Sequence, residues 1–187
     1  MNKLKKILFS PGKFFSEIKK EKGVRKAFNF LAGYYLFFMI LSGIVFFVTG
    51  EKNNYSGLGI NISNKEWIIV LIGTYIFGLL FSFVSALFLK LWIRIFGGKG
   101  KYEDAYKLNI YSNAPYYLIG WMPLINMIIW VYGLGLLIIG TKKIYKFSTT
   151  KAILIYVVPL AILFLLFLVI LMIYFSSIAG NYAEPIL

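Results

Sequence analysis

Four stretches of this chain contain no charged residue: residues 27–50, 67–89, 108–141 and 152–183. Each exceeds the roughly 20 apolar residues needed to cross about 30 Å of hydrocarbon, a length that marks membrane spans rather than soluble cores. An all-α integral membrane protein follows, because a helix satisfies its backbone hydrogen bonds internally where no water is at hand. The stretch 108–141 is ambiguous, being far longer than one crossing needs. At 1.5 Å per residue it would run about 51 Å, and it contains Pro115 and Pro123.

The loops between these stretches set their number and direction, since Lys and Arg near span ends remain cytoplasmic. The segment before the first stretch carries Lys3, Lys5, Lys6, Lys13, Lys19, Lys20, Lys22, Arg25 and Lys26. The loop 51–66 balances Lys52 and Lys65 with Glu51 and Glu66, whereas 90–107 carries Lys90, Arg94, Lys99, Lys101 and Lys107. The first and third are therefore expected inside and the second outside. Keeping Lys142, Lys143, Lys146 and Lys151 inside as well requires 108–141 to cross twice, or to dip in and return as a hairpin. The expectation is a cytoplasmic basic segment over 1–26 and a membrane domain over 27–187. That domain is a five-helix transmembrane bundle with spans near 27–49, 67–89, 105–121, 124–141 and 153–178 and an external end carrying only Glu184. The N-terminal region does not read as a cleaved signal, because its apolar stretch is longer than an h-region and no A-x-A-like site follows. A cell membrane is the expected location.

A net charge of +13 would suggest nucleic acid in a soluble protein. Here the charge is spread over short juxtamembrane segments, where it sets topology and attracts anionic lipid, so no nucleic-acid partner is expected. With no Cys there is no thiol chemistry, and with no His the commonest general base and metal ligand is missing. No catalytic residue, cofactor or metal site is expected. Glu103 and Asp104, adjacent before the third span, are explained by interaction with a helix dipole.

Leu4, Ile7, Leu8, Pro11, Phe14, Phe15 and Ile18 recur at helical spacing with lysines between them, a basic amphipathic pattern. Ser10 suits an N-cap and Pro11 a first helical position, which predicts two short helices hinged there. In the headgroup layer this segment would bury Phe14, Phe15 and Ile18. Lys5, Lys6, Lys13 and Lys19 would then face anionic lipid, at about 1 kcal/mol per cation. Packing of Phe14 and Phe15 on the helical bundle is the alternative.

Within the spans, Asn109, Ser112, Asn113, Tyr116 and Tyr117 form a polar helical face, with Asn126 opposite on the next span. Pro115 lacks a backbone N–H and frees the Tyr111 carbonyl to find another partner, such as Asn113 or a tyrosine hydroxyl. This face either holds a hairpin together by interhelical hydrogen bonds, worth about 0.6 kcal/mol each, or forms a solute site at a broken helix. Gly78, Ser82 and Ala86 form a small-residue stripe for close approach of another span or of a second copy in a homo-oligomer, and Gly133 and Gly135 suggest similar contact. Lys90 and Arg94 beside Trp92 read as snorkelling cations with an interfacial aromatic. Gly97-Gly98-Lys99-Gly100 reads as a tight turn and not a phosphate loop, since no Ser or Thr follows the Lys. Asn54 and Asn61 open glycosylation sequons in the loop expected outside.

Ser10-Pro11 with Phe14-Phe15, five spans, and Gly97-Gly98 leading into Tyr111-Ser112-Asn113-Ala114-Pro115 together resemble the Yip family of membrane proteins over nearly the whole chain. For eukaryotic members the resemblance implies a cytosolic N-terminus, association with Rab-type small GTPases and a role in vesicle traffic and membrane shaping. The long cytosolic N-terminal domain of those members and its Asp-Leu-Tyr-Gly-Pro motif are missing here, so GTPase binding is not carried over. The compact form resembles bacterial and archaeal members. The function expected is that of a non-enzymatic scaffold, adaptor or membrane-organising factor, with a passive channel or small-solute transporter as the alternative.

Overall fold

The computed structural model describes residues 3–49, 63–122 and 125–182, and every regular element among them is helical. In chain order they are α1 (Lys3–Phe9), α2 (Pro11–Ile18), α3 (Arg25–Thr49), α4 (Asn64–Ile95), α5 (Tyr102–Ser112), α6 (Ala114–Ile119), α7 (Asn126–Tyr145) and α8 (Thr149–Tyr182). Pro123, both sequon asparagines and Glu184 lie outside the described residues.

Four of these helices are long and apolar enough to cross a membrane: α3, α4, α7, and α8 over Thr149–Ser176. The span expected near 105–121 is instead two helices, of 11 and 6 residues. At 1.5 Å per residue these measure about 16 and 9 Å, so neither crosses hydrocarbon alone. The cause lies in the backbone. Pro115 sits in the first turn of α6 and cannot continue α5, and Asn113 between them leaves helical geometry at φ −86°, ψ 1°.

α3 and α4 pack side by side. The Tyr75 hydroxyl donates to the Ala32 carbonyl at 3.0 Å, and Phe46 stacks on Trp67 at 3.9 Å between centroids. Gly78 faces the Tyr35 ring, where a Cβ would lie 2.5 Å from ring carbon. Ser82 and Ala86 are buried, and the Ser82 Oγ lies 3.1 Å from the Tyr106 hydroxyl of α5. The small-residue stripe thus finds its partners within the chain. Tyr102, Tyr106 and Asn109 reach Phe83, Ser82 and Ser85, all in one turn of α4, so α5 crosses α4 rather than running alongside it.

α4 starts at a capping box that the Ser63-x-x-Glu66 spacing encodes: Glu66 N–H donates to Ser63 Oγ at 3.3 Å and Ser63 N–H to Glu66 Oε2 at 2.7 Å. It ends in a Schellman turn. Gly97 takes φ +80°, its N–H donates to the Arg94 carbonyl and the Gly98 N–H to the Ile93 carbonyl. This is the tight turn expected of Gly97-Gly98.

α8 carries Pro159 in its interior. Proline offers no N–H to the carbonyl four residues earlier, Ile155, and an unanswered carbonyl is costly away from water. Trp92 of α4 answers it: its Nε1–H donates to the Ile155 carbonyl at 2.8 Å. The indole read as an interfacial anchor is therefore a repair to a neighbouring helix. Trp92→Phe is expected to destabilise the protein by about 1–3 kcal/mol in bilayers, and most of that loss should vanish in a Pro159→Ala background, where a backbone N–H is restored. Equal losses in both backgrounds, measured by reversible unfolding, would refute the repair.

Candidate functional site

The N-terminal helices form an antiparallel hairpin through Lys6 to Glu17 at 2.6 Å and Lys3 to Glu21 at 3.0 Å. The Lys6 bond holds the Glu17 carboxyl below the usual carboxylate range. Burial opposes the Lys3 charge, but bonds to Glu21 and to the Tyr111 hydroxyl outweigh it and hold its pKa above the ordinary lysine value. Exposed pairs of this kind contribute little by themselves. The hairpin is held chiefly by what it docks against.

Phe14, Phe15 and Ile18, expected in the headgroup layer, are at most 2% exposed. Phe14 meets the Tyr111 ring edge-on at 5.0 Å, and Phe15 packs at Gly140 of α7, where a Cβ would lie 3.0 Å from its ring and 2.4 Å from Leu108. The reason for the correction is that α5 and α7 present an apolar recess opened by Gly140, which covers these rings more completely than a headgroup layer would. Of the four cations assigned to lipid, Lys6 is paired with Glu17 and Lys19 donates to the Ile144 carbonyl at 2.7 Å, near the end of α7. Lys5 and Lys13 are exposed. Phe9, in the register of Lys5 on α1, is 76% exposed and was not singled out by the sequence reading.

The last turn of α2 is gripped by the first turns of α5. Lys107, counted in sequence as a loop cation, is 2% exposed; its Nζ donates to the Ile18 carbonyl at 3.2 Å and the Glu21 carbonyl at 2.8 Å, and lies 3.5 Å from Asp104. Gly23 follows at φ +72°, a left-handed conformation that favours glycine. Its N–H donates to Glu103 Oε2 at 2.8 Å. The two adjacent acids therefore hold the N-terminal hairpin, besides lying in the first turn of α5.

At the helix break, Asn113 has exchanged its roles. Its backbone N–H reaches the Tyr111 carbonyl, so its side-chain Nδ2 donates to the Asn109 carbonyl at 2.8 Å, the partner that the backbone would have served. Asn109 in turn donates to Ser85 Oγ at 2.8 Å, and Asn126 bonds the Tyr116 hydroxyl. Tyr111 is fully buried beneath Lys3, Phe14 and Phe30. Ser112 Oγ is buried without a partner, beside a cavity of about 80 Å³ lined also by Asn113, Tyr116 and Gly133. Close contact of α7 comes through Gly133, where a Cβ would lie 3.3 Å from the Ser112 carbonyl, and Gly140; Gly135 has nothing within 4 Å.

These observations define a helical membrane protein whose basic N-terminal segment folds back as a hairpin onto a broken helix. The Yip1 domain family model matches residues 5–171, and the chain belongs to that family. Comparison with curated proteins and with solved structures gives no significant match. The two sequence elements that carried the resemblance, Ser10-Pro11 with Phe14-Phe15 and Tyr111-Ser112-Asn113-Ala114-Pro115, meet at the Phe14–Tyr111 contact.

Lys107→Met should remove the donor to the Ile18 and Glu21 carbonyls and leave Asp104 without its cation, at an expected cost of about 2–4 kcal/mol. Limited trypsin digestion of the bilayer-embedded protein should then cut within residues 11–22. Lys13→Gln, at an exposed position, should stay within about 0.5 kcal/mol of the parent. A Lys107→Met protein as resistant to trypsin as the parent would exclude the capping role.

Proposed function

We propose that this protein is a non-enzymatic scaffold, adaptor or membrane-organising factor of the Yip type, with its N-terminal hairpin on the cytoplasmic leaflet and its C-terminal end outside, in a cell membrane. The observation that carries this reading is the outward face of the docked hairpin. Lys5, Phe9 and Lys13 stay exposed while the rings beneath them are spent on the bundle. A basic face with an exposed aromatic suits an anionic lipid surface. Its partners on this reading are lipid and other membrane proteins or copies of itself; the small-residue stripe, already used within the chain, is not the surface for them.

The polar side chains at the helix break favour structure over transport. Asn109, Asn113 and Asn126 are all bonded within the chain, and the cavity beside them, about 80 Å³, has room for a few waters and not for a metabolite. The second reading, a passive channel or small-solute transporter, draws on the unpartnered Ser112 Oγ that borders this cavity.

Asn113→Leu separates the two. If Asn113 serves the fold, the substitution should cost no more than about 2 kcal/mol in bilayers and show no ligand dependence. Flux of a small solute into proteoliposomes that disappears in Asn113→Leu, with an unchanged melting curve, would overturn the scaffold reading. Topology reporters are expected to place Lys143 in the cytoplasm and Gly57 outside. A reporter at Lys143 found outside would mean that 108–141 crosses only once and would overturn the five-span arrangement.

A further inference from the structure

A second cavity, of about 520 Å³, opens where α4 ends, lined by Lys90, Arg94, Gly97, Gly98, Lys99, Gly100 and Tyr145. Its described lining holds three cations and no carboxylate, and none of the three appears in an ion pair among the described residues. Lys90 and Arg94 are four residues apart on one face of α4. Lys99 comes from the turn. Like charges are gathered here by the backbone, because the Schellman turn at Gly97-Gly98 folds the chain back over the last turn of α4. The nearest acids, Glu103 and Asp104, border a neighbouring cleft with Lys99 and are engaged there by the Gly23 N–H and by Lys107. Lys151, at the start of α8, adds a further cation at the rim, with Nζ 3.9 Å from the position of a Cβ on Gly97.

Tyr145 supplies an independent sign. It is 9% exposed, and its hydroxyl is buried with no hydrogen-bond partner. A buried hydroxyl left unpaired is unfavourable, so a donor with nothing to donate to marks a missing acceptor. The ring lies against the turn because residue 100 is glycine: a Cβ there would be 2.4 Å from Tyr145 Cε1. The carboxylate that acts on Tyr145, Asp104, is already engaged by Lys107 and by the Lys101 N–H at 3.1 Å.

We propose that this cavity binds a phosphate group, carried by a lipid headgroup or by a free phosphate compound, with Arg94 as the bidentate partner, Lys90 and Lys99 as point charges and the Tyr145 hydroxyl as the buried donor. The guanidinium fork matches two phosphate oxygens, and a protonated phenol completes the donor set without adding charge. The volume suits a headgroup-sized ligand rather than a lone ion. The site lies at the ends of α4 and α7, where membrane-crossing helices emerge and lipid phosphates are found. It deepens the membrane-organising reading by giving the lipid a defined site in place of a diffuse basic surface.

The test uses the full chain in phosphatidylcholine nanodiscs, titrated with dioctanoyl phosphatidic acid, dioctanoyl phosphatidylserine, glycerol 3-phosphate and inorganic phosphate, with calorimetry and melting temperature as readouts. Saturable binding of phosphatidic acid that raises the melting temperature is expected. Arg94→Gln should weaken it about tenfold and Tyr145→Phe several-fold, while Lys65→Gln, exposed at the opposite end of α4, leaves it unchanged. Lys99→Gln, on the exposed turn, serves should Tyr145→Phe disturb folding. Glycerol 3-phosphate binding as tightly as the lipid supports the site with a free phosphate compound as its ligand; binding more than about tenfold weaker supports the lipid. Affinity unchanged in Arg94→Gln and Lys99→Gln, or non-saturable uptake that follows lipid charge alone, overturns the proposal. The scaffold reading is judged by solute flux and reporter topology, which none of these measurements touches.

Discussion

A backbone carbonyl without a partner is the constraint around which this structure is arranged. Apolar surroundings offer no water, so each carbonyl left over at a helix end or break needs a donor from the protein. Four side chains provide one, three of them from distant parts of the chain. Lys107 answers the end of α2, Lys19 the end of α7, Asn113 the end of α5, and Trp92 the gap that Pro159 makes in α8. Three of these four bonds also tie one helix to another, so the repair of secondary structure and the assembly of the bundle are the same event.

This explains why a chain with so few polar groups in its spans holds a defined arrangement. Apolar packing between membrane helices discriminates weakly, because lipid tails are as apolar as leucine. A donor that must meet one particular carbonyl discriminates well. The glycines act with it by setting distance. Gly78 lets Tyr35 reach α4, and Gly140 lets Phe15 and Leu108 close on α7, so that Lys19 and Ile144 come within bonding range.

Membrane class and the long helices were legible because charge-free length is a local property, and four of the five expected spans correspond to single long helices. The remaining one was harder, since Pro115 announces a break without saying how long the pieces on either side will be. Phe14, Phe15 and Ile18 show a different gap. Helical periodicity identifies an apolar face, but a leaflet and a protein recess are both apolar, and only the tertiary position of Gly140 separates them. Lys107 was the least visible: at a span boundary, a lysine that snorkels and one that caps a buried carbonyl have the same sequence signature. The Ser63-x-x-Glu66 capping box and Pro159, by contrast, are local signals that the residues alone carry. Tyr111 was recognised as part of a motif, while its role as the surface on which Lys3, Phe14 and Phe30 converge needed coordinates.

The Lys107 bonds join residues 86 and 89 positions apart, and the Lys19 bond spans 125. At about 5–20 residues per second, the hairpin leaves the ribosome several seconds before its receptor surface exists. In that interval its rings have no recess to enter, and a basic amphipathic segment is a form that can wait at a lipid surface without aggregating. Docking therefore has to wait for α7, and a chain truncated before it would leave Phe15 without the recess that Gly140 opens.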